Sequence, residues 1–249
     1  LNIIHLARTA STNTYLLGRA AELPDDTVVL TERQTAGRGQ RGNAWESEPH
    51  KNLTFSQLFH RPPVPARQQF AISQAVSIAI ARTLRNQLAL PVTIKWPNDI
   101  YVGDGKLAGI LIESSLAGTD IAYSVVGVGL NVNQTEFVSD APNPVSLAML
   151  TGRQYDRQAM LHSLCTACSK YVHELADAKF CENLRHDYLE LLYRNDGHFH
   201  TFMTPDGTRF QAAIEQVAPD GTLTLHRPDG TSTAYAFQQV KHVIQDLVL

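Results

Sequence analysis

Two stretches of this sequence carry residue types suited to gripping an anion. The first is Gly37-Arg38-Gly39-Gln40-Arg41-Gly42-Asn43-Ala44-Trp45. Its glycines remove side chains where a backbone must turn sharply or approach a ligand closely. Arg38 and Arg41 place permanently charged planar donors in one loop, a geometry suited to carboxylate or phosphate. Trp45 closes it with a large amphipathic ring able to stack on a base or cap an apolar pocket. Glycine and arginine alone also describe many solvated surface loops. The second stretch, Lys95-Trp96-Pro97-Asn98-Asp99 followed by Gly103-Asp104-Gly105-Lys106, changes that balance. Lys95 and Lys106 add charge, Trp96-Pro97 stiffens the backbone, and Asn98-Asp99 offers an amide and a carboxylate. A lysine after a Gly-Asp-Gly turn is also an ordinary solvated turn charge. Together, however, the stretches read as two sides of one anion-binding site.

Other groups are more ambiguous. Ser11-Thr12-Asn13 supplies good helix N-caps, and capping alone accounts for it. Gly127-Val128-Gly129-Leu130-Asn131 lacks the third glycine and the following helix of a dinucleotide fingerprint. It reads instead as a tight sheet bend where a planar ligand approaches backbone, with Asn131 as an adenine or phosphate contact. No GxxxxGK[ST] phosphate loop is present. Cys165 and Cys168 have CxxC spacing, but they fall in a helical pattern without a second pair, which reads as buried thiols rather than zinc or redox chemistry.

The elements that must position these residues follow from periodicity and punctuation. Strands are predicted at Asn2 to Leu6, Thr27 to Glu32, Asn52 to Phe59, Val92 to Lys95 and Ile100 to Val102. Two more, Lys106 to Ser114 and Ile121 to Asn133, pair through Ala117-Gly118-Thr119-Asp120. Helices are predicted at Thr12 to Glu22, Arg67 to Leu90, Ser146 to Leu150, Arg157 to Leu175 and Lys179 to Arg194. Strands at hairpin spacing with helices between them imply an α+β fold, a mostly antiparallel sheet backed by helices. After Asn195 the composition changes. Pro205-Asp206-Gly207, Pro219-Asp220-Gly221 and Pro228-Asp229-Gly230 punctuate alternating segments, as in a small β-barrel of SH3-like type. The domain boundary is placed there, giving 1–194 and 195–249.

Composition narrows the function. With 249 residues, 43% hydrophobic and 18% charged, the chain reads as an ordinary globular protein. The formal net charge of -3 offers no basic field for nucleic acid or membrane, so polyanion recognition must be local. No run spans a bilayer and no signal peptide opens the chain, so a cytoplasmic location is expected.

Four blocks, in order, carry a resemblance to the biotin–protein ligases: Ser11-Thr12-Asn13; the GRGxRGxxW loop from Gly37 to Trp45; Lys95 to Asp99 with Lys106-Leu107-Ala108-Gly109; and Gly127 to Asn131. The resemblance implies a catalytic domain related to class II aminoacyl-tRNA synthetases, followed by an SH3-like barrel. It implies ATP-dependent activation of biotin to biotinyl-5′-AMP, then transfer to a lysine of a biotin carboxyl carrier domain. It assigns biotin contacts to Ser11, Thr12, Asn13, Gln34, Gly37, Arg38, Lys106 and Gly109. Adenylate contacts fall to Gly37, Arg38, Gly39, Arg41, Trp45, Lys95, Asn98 and Asn131. Lys106, Arg38 and Arg41 are the expected catalytic residues, and Asp99 the expected Mg²⁺ ligand. The chain starts at the catalytic motifs, so the resemblance is to the monofunctional type, without a helix-turn-helix or nucleic-acid partner, as monomer or homodimer. Gln40 stands where some relatives have a third arginine. Lipoate or octanoate transfer on the same fold, or a non-catalytic biotin-sensing or carrier-binding module, are the competing expectations.

Overall fold

The computed structural model describes residues 1–39, 45–139 and 143–244; Gln40 and Arg41 lie outside them. A seven-stranded sheet has the order β1 (Asn2–Leu6), β2 (Thr27–Thr31), β3 (Leu53–His60), β7 (Asp120–Leu130), β6 (Gly105–Ala117), β5 (Asp99–Val102), β4 (Val92–Lys95). β1 and β2 run parallel, and the other neighbours are antiparallel. The mixed, mostly antiparallel sheet expected from the sequence is therefore present. Helix α1 (Thr12–Leu17) connects β1 to β2. Ser11 caps its start by accepting the Thr14 N–H. It is shorter than the predicted Thr12 to Glu22, because beyond Gly18 the chain closes tighter turns, such as Arg19 N–H to Leu16 O, instead of continuing the helix.

Alternation along the central strands gives the sheet two unlike faces. Leu53, Phe55 and Phe59 of β3 and Val126, Val128 and Leu130 of β7 join the large core. That face is covered by α2 (Phe70–Leu88), α4 (Arg157–His173) and α5 (Ala178–Leu191), the short α3 (Leu147–Thr151) preceding α4 in the chain. Cys165 and Cys168 are buried in α4 within this core, and burial pushes the Cys168 thiol up to about 12. On the opposite face Val29, Leu58 and Val125 pack under Leu16 and Ala20 around α1. This second cluster covers only part of its face. The uncovered remainder holds the candidate site.

The C-terminal unit is a five-stranded antiparallel sheet in the order β11 (Ser232–Tyr235), β10 (Leu223–His226), β9 (Arg209–Val217), β8 (His200–Met203), β12 (Lys241–His242). The Pro-Asp-Gly turns form as predicted. Gly207, Gly221 and Gly230 all have positive φ, and Asp206, Asp220 and Asp229 accept the N–H two residues on. Among the described residues the outer strands β11 and β12 do not pair with each other, so an open antiparallel sheet is what is observed where a closed SH3-like barrel was expected.

Trp96 fastens this unit to the first. It leaves β4 at the turn into β5, its indole N–H donates to Gly221 O at 2.9 Å, and its ring packs 5.2 Å from that of Phe237. Phe70 of α2 packs against Phe237 with the rings tilted, centres 5.6 Å apart. The hydrophobic core accordingly runs unbroken from the large sheet to Phe202, Leu223 and Leu225. Trp96 in the second motif is thus a structural anchor. Trp96→Ala is expected to cost about 3–5 kcal/mol of unfolding free energy. Trp96→Phe, which loses mainly one hydrogen bond, is expected to cost about 1 kcal/mol. Denaturant titration of both variants checks this, and two equal costs contradict it.

Candidate active site

The site is built on a part of the sheet that has almost no side chains. Thr54 pairs with Gly129 and Ser56 with Gly127 on β3 and β7; across β7, Gly129 pairs with Gly109 and Gly127 with Leu111 of β6. These residues share a face with Leu58 and Val125, but lie beyond the apolar cluster under α1, where only its first turn, Thr12 and Asn13, reaches them. The glycines therefore sit in regular pairing, not in the tight bend expected from the sequence. Their role is to leave room. A Cβ on Gly129 would run into the Trp45 indole, one on Gly109 would stand 3.0 Å from the same ring, and one on Gly127 would overlap the Asn13 amide. The cavity over this floor measures about 180 Å³, smaller than the roughly 300–1,000 Å³ of most small-molecule pockets, because the Trp45 ring lies in it. The indole N–H is buried and has no partner among the described residues.

The wall toward α1 is polar and internally bonded. Thr12 donates its N–H to Gln34 Oε1 at 2.8 Å and its hydroxyl to the same oxygen at 3.2 Å. That fixes the Gln34 amide and leaves Nε2 as the donor it can offer. The Ser56 hydroxyl donates to Asn13 Oδ1 at 2.6 Å and lies 2.7 Å from Thr12 Oγ1. Asn13 Nδ2 donates to Glu113 Oε2 at 2.8 Å and to Leu111 O at 3.2 Å. Ser11, Thr12 and Asn13 are all buried. Ser11 caps α1 and also lines the cavity.

The charged wall carries two cations, each beside a carboxylate. Arg38 donates to Glu113 at 3.3 Å and to Thr14 Oγ1 at 3.1 Å. Lys106 Nζ lies 2.7 Å from Asp99 Oδ2 and 5.9 Å from the Trp45 ring centre. A β-bulge brings Lys106 here. Ile100 pairs with Ala108, but Tyr101 pairs with Lys106, so Leu107 is an extra residue in β6. Strict alternation would put Lys106 and Gly109 on opposite faces; one inserted residue brings both to the cavity. The solvated-turn reading of Lys106 does not hold, since its side chain is about three-quarters buried.

Of the residues singled out from sequence, Ser11, Thr12, Asn13, Gln34, Arg38, Gly39, Trp45, Asp99, Lys106 and Gly109 line one cavity. Gly37 lies at its edge, accepting the Trp45 N–H. Lys95, Asn98 and Asn131 do not line it. Lys95 faces a second cavity under the C-terminal unit. Asn98 donates to Ser73 at 3.1 Å and lines a third cavity. Asn131 is buried just past β7, donating to Val145 O at 3.0 Å. Arg41 falls outside the described residues. Sequence reasoning missed Ser56 and Glu113. The available signal was polar residues at positions in phase with the glycines of the neighbouring strand.

The molecule is thus an α+β fold whose mixed sheet carries a polar and cationic cavity on its glycine face. The structure superposes on the biotin protein ligase of Aquifex aeolicus in complex with biotin and ATP with a TM-score of 0.79 over 97% of this chain and 99% of that one, at 22% identity. The biotin/lipoate A/B protein ligase family model matches residues 5–131. A biotin--[acetyl-CoA-carboxylase] ligase of Paracoccus denitrificans is 35% identical over 176 residues, 68% of this chain and 72% of that protein. The chain belongs to the biotin/lipoate A/B protein ligase family. The bifunctional ligase/repressor BirA of Salmonella typhimurium is 39% identical over 142 residues, and the match spans 44% of its length.

Gly129→Ala is expected to expel the indole from the floor. In a Trp96→Phe background, Trp45 emission then shifts to the red and its quenching by acrylamide rises. Unchanged emission would mean that the floor tolerates a methyl group.

Proposed function

We propose that the chain is a biotin–protein ligase. The observation that carries this reading is the bulge that sets Lys106 beside Arg38's cavity over a floor bare enough for a planar substrate. The names of the matched relatives support it. Thr12, Gln34, Ser11 and Asn13 are read as the hydrogen-bonding wall for the biotin ureido ring. Gly37, Gly39 and Gly109 allow close approach of backbone, and Trp45 and Asn131 are read as adenine-side residues.

In the first step a biotin carboxylate oxygen attacks the ATP α-phosphorus, the bond to the bridging oxygen breaks, and pyrophosphate leaves with its electron pair. Two anions must meet, so positive charge has to offset their repulsion. Lys106 and Arg38 supply it within the cavity, and Arg41 is proposed to add to it. Both described cations already hold a carboxylate, so the substrate anions share or displace these partners; Asp99 and Glu113 keep the cations in place meanwhile. In the second step a neutral lysine ε-amine of the carrier domain attacks the acyl carbon of the mixed anhydride. The C–O bond breaks, AMP departs, and the new amide nitrogen gives up a proton.

Mg²⁺ belongs with such phosphate chemistry in general. Among the described residues Asp99 is the one carboxylate lining the cavity, and it is engaged by Lys106. The one three-residue cluster with metal-ligand spacing, Asp25, Asp26 and His173, shares no residue with the cavity lining. One carboxylate already paired with a lysine does not make a protein-held metal site. Among the described residues no helix is long and apolar enough to cross a membrane. A carrier-protein partner and a cytoplasmic site of action are part of the proposal. The division at Asn195 is proposed as the boundary of two units sharing one core.

Incubation with ATP and biotin, followed by mass analysis, is expected to yield biotinyl-5′-AMP. A lipoyl adenylate formed in preference from mixed acids would favour the lipoate reading, and no adenylate at all would favour a sensing module. Lys106→Ala is expected to slow single-turnover adenylate formation about a hundredfold, roughly 3 kcal/mol of lost stabilisation, with a smaller effect on biotin binding. A near-normal rate would remove Lys106 from the chemistry.

A further inference from the structure

Asp99 lines two cavities. On one side lies the site above; on the other, a cavity of about 410 Å³ between the β4–β5 hairpin and the C-terminal sheet. Its size falls within the roughly 300–1,000 Å³ of small-molecule pockets. Lys95, Lys241 and His242 line it together with the apolar Phe202 and Val240. Two features of this cavity are not explained by the fold. His242 is 6% exposed, yet neither ring nitrogen has a hydrogen-bond partner, whereas buried polar groups are ordinarily bonded. Its ring is held by packing alone, 4.3 Å from Phe202 and 5.3 Å from Tyr193.

The second feature is unbalanced charge. Lys106 is paired with Asp99, Arg194 with Asp104, and His200 with Asp196. Neither Lys95 nor Lys241 forms an ion pair among those present in the described residues. Burial pulls the Lys95 ammonium below its ordinary value; Asp99 opposes this, while Lys106, Lys241 and Arg194 add to it. Burial likewise lowers His242, to about 3, with Lys95, Arg194 and His200 contributing. The imidazole is therefore neutral at pH 7 and keeps one N–H to donate. Burial opposes charge of either sign, but the cations among these neighbours, Lys95, Lys106, Lys241 and Arg194, oppose positive charge only and so favour an anion.

We propose that this second cavity binds pyrophosphate, held by Lys95, Lys241 and the His242 N–H. Given the ligase reading, on which the identity of the anion rests, the cavity receives the leaving group on the far side of Asp99 from the acyl adenylate. Lys95 then acts on the departing phosphates and not on the acyl group, which agrees with its absence from the first cavity.

The test is calorimetric titration of the full chain with pyrophosphate, without nucleotide, at constant ionic strength, with chloride as the control anion. Lys241→Gln and His242→Phe are each expected to weaken pyrophosphate about tenfold, the effect of losing one hydrogen bond to a charged group. Phenylalanine retains the ring packing on Phe202, and Lys241 is exposed, so its variant does not depend on core repacking. The His242 imidazole resonance, identified by its loss in His242→Phe, is expected to shift on adding pyrophosphate. Equal affinities in all three proteins, or shifts confined to other histidines, overturn the proposal. If biotinyl-adenylate forms while pyrophosphate ignores both substitutions, the cavity assignment fails and the ligase reading stands. If pyrophosphate binds here in a protein that makes no adenylate, the anion site stands and the ligase reading fails.

Discussion

The structure depends on one strand having to satisfy two environments. Along β7, Val126, Val128 and Leu130 enter the large core, while Gly127 and Gly129 alternate with them on the opposite face. The valines and leucine tie the centre of the sheet to the helices that cover it. The glycines keep the other face bare, so that Trp45 and Asn13 can lie directly on backbone. A strand with valine at every position would hold the same core equally well, but it would fill the cavity. Every other part of the site is arranged around that bare floor, with α1 limiting it on one side and the β6 bulge delivering Lys106 on the other.

The second requirement is a fixed turn between β4 and β5. Lys95 and Asp99 face each other across it, so the turn sets the carboxylate that Lys106 meets. The turn is fixed from below by the Tyr188 hydroxyl, which donates to Pro97 O at 2.5 Å, and from the side by Trp96 on Gly221. The C-terminal sheet thus helps to position Asp99 without entering the first cavity. The anchoring residue and the paired residue sit three apart in one motif, which explains how a single short stretch serves both fold and site.

What the sequence made legible follows the range of the interactions involved. The strands, helices and Pro-Asp-Gly turns depend on neighbours in the chain, and they were readable from alternation and punctuation. Lys106 was recognisable as a candidate, but its route into the cavity was not. The extra Leu107 is a matter of register against β5, which no local pattern encodes. Asn98 and Asn131 carry the right chemistry in the right motifs, yet their amides are committed to Ser73 and Val145, partners distant in sequence. Glu113 and Ser56 were missed for the converse reason: their importance comes from strand pairing with β7, Ser56 opposite Gly127 and Glu113 opposite Val125, in phase with glycines whose role is to leave space.

The central claim is that the glycine face of β7 is the floor on which substrate lies. A crystal structure of the protein with biotin tests it most directly. The account predicts density over Gly127 and Gly129, with the ureido ring at Thr12 and Gln34 and the carboxylate turned toward Lys106. Biotin bound elsewhere, with that face still occupied by the Trp45 ring and nothing else, would contradict it.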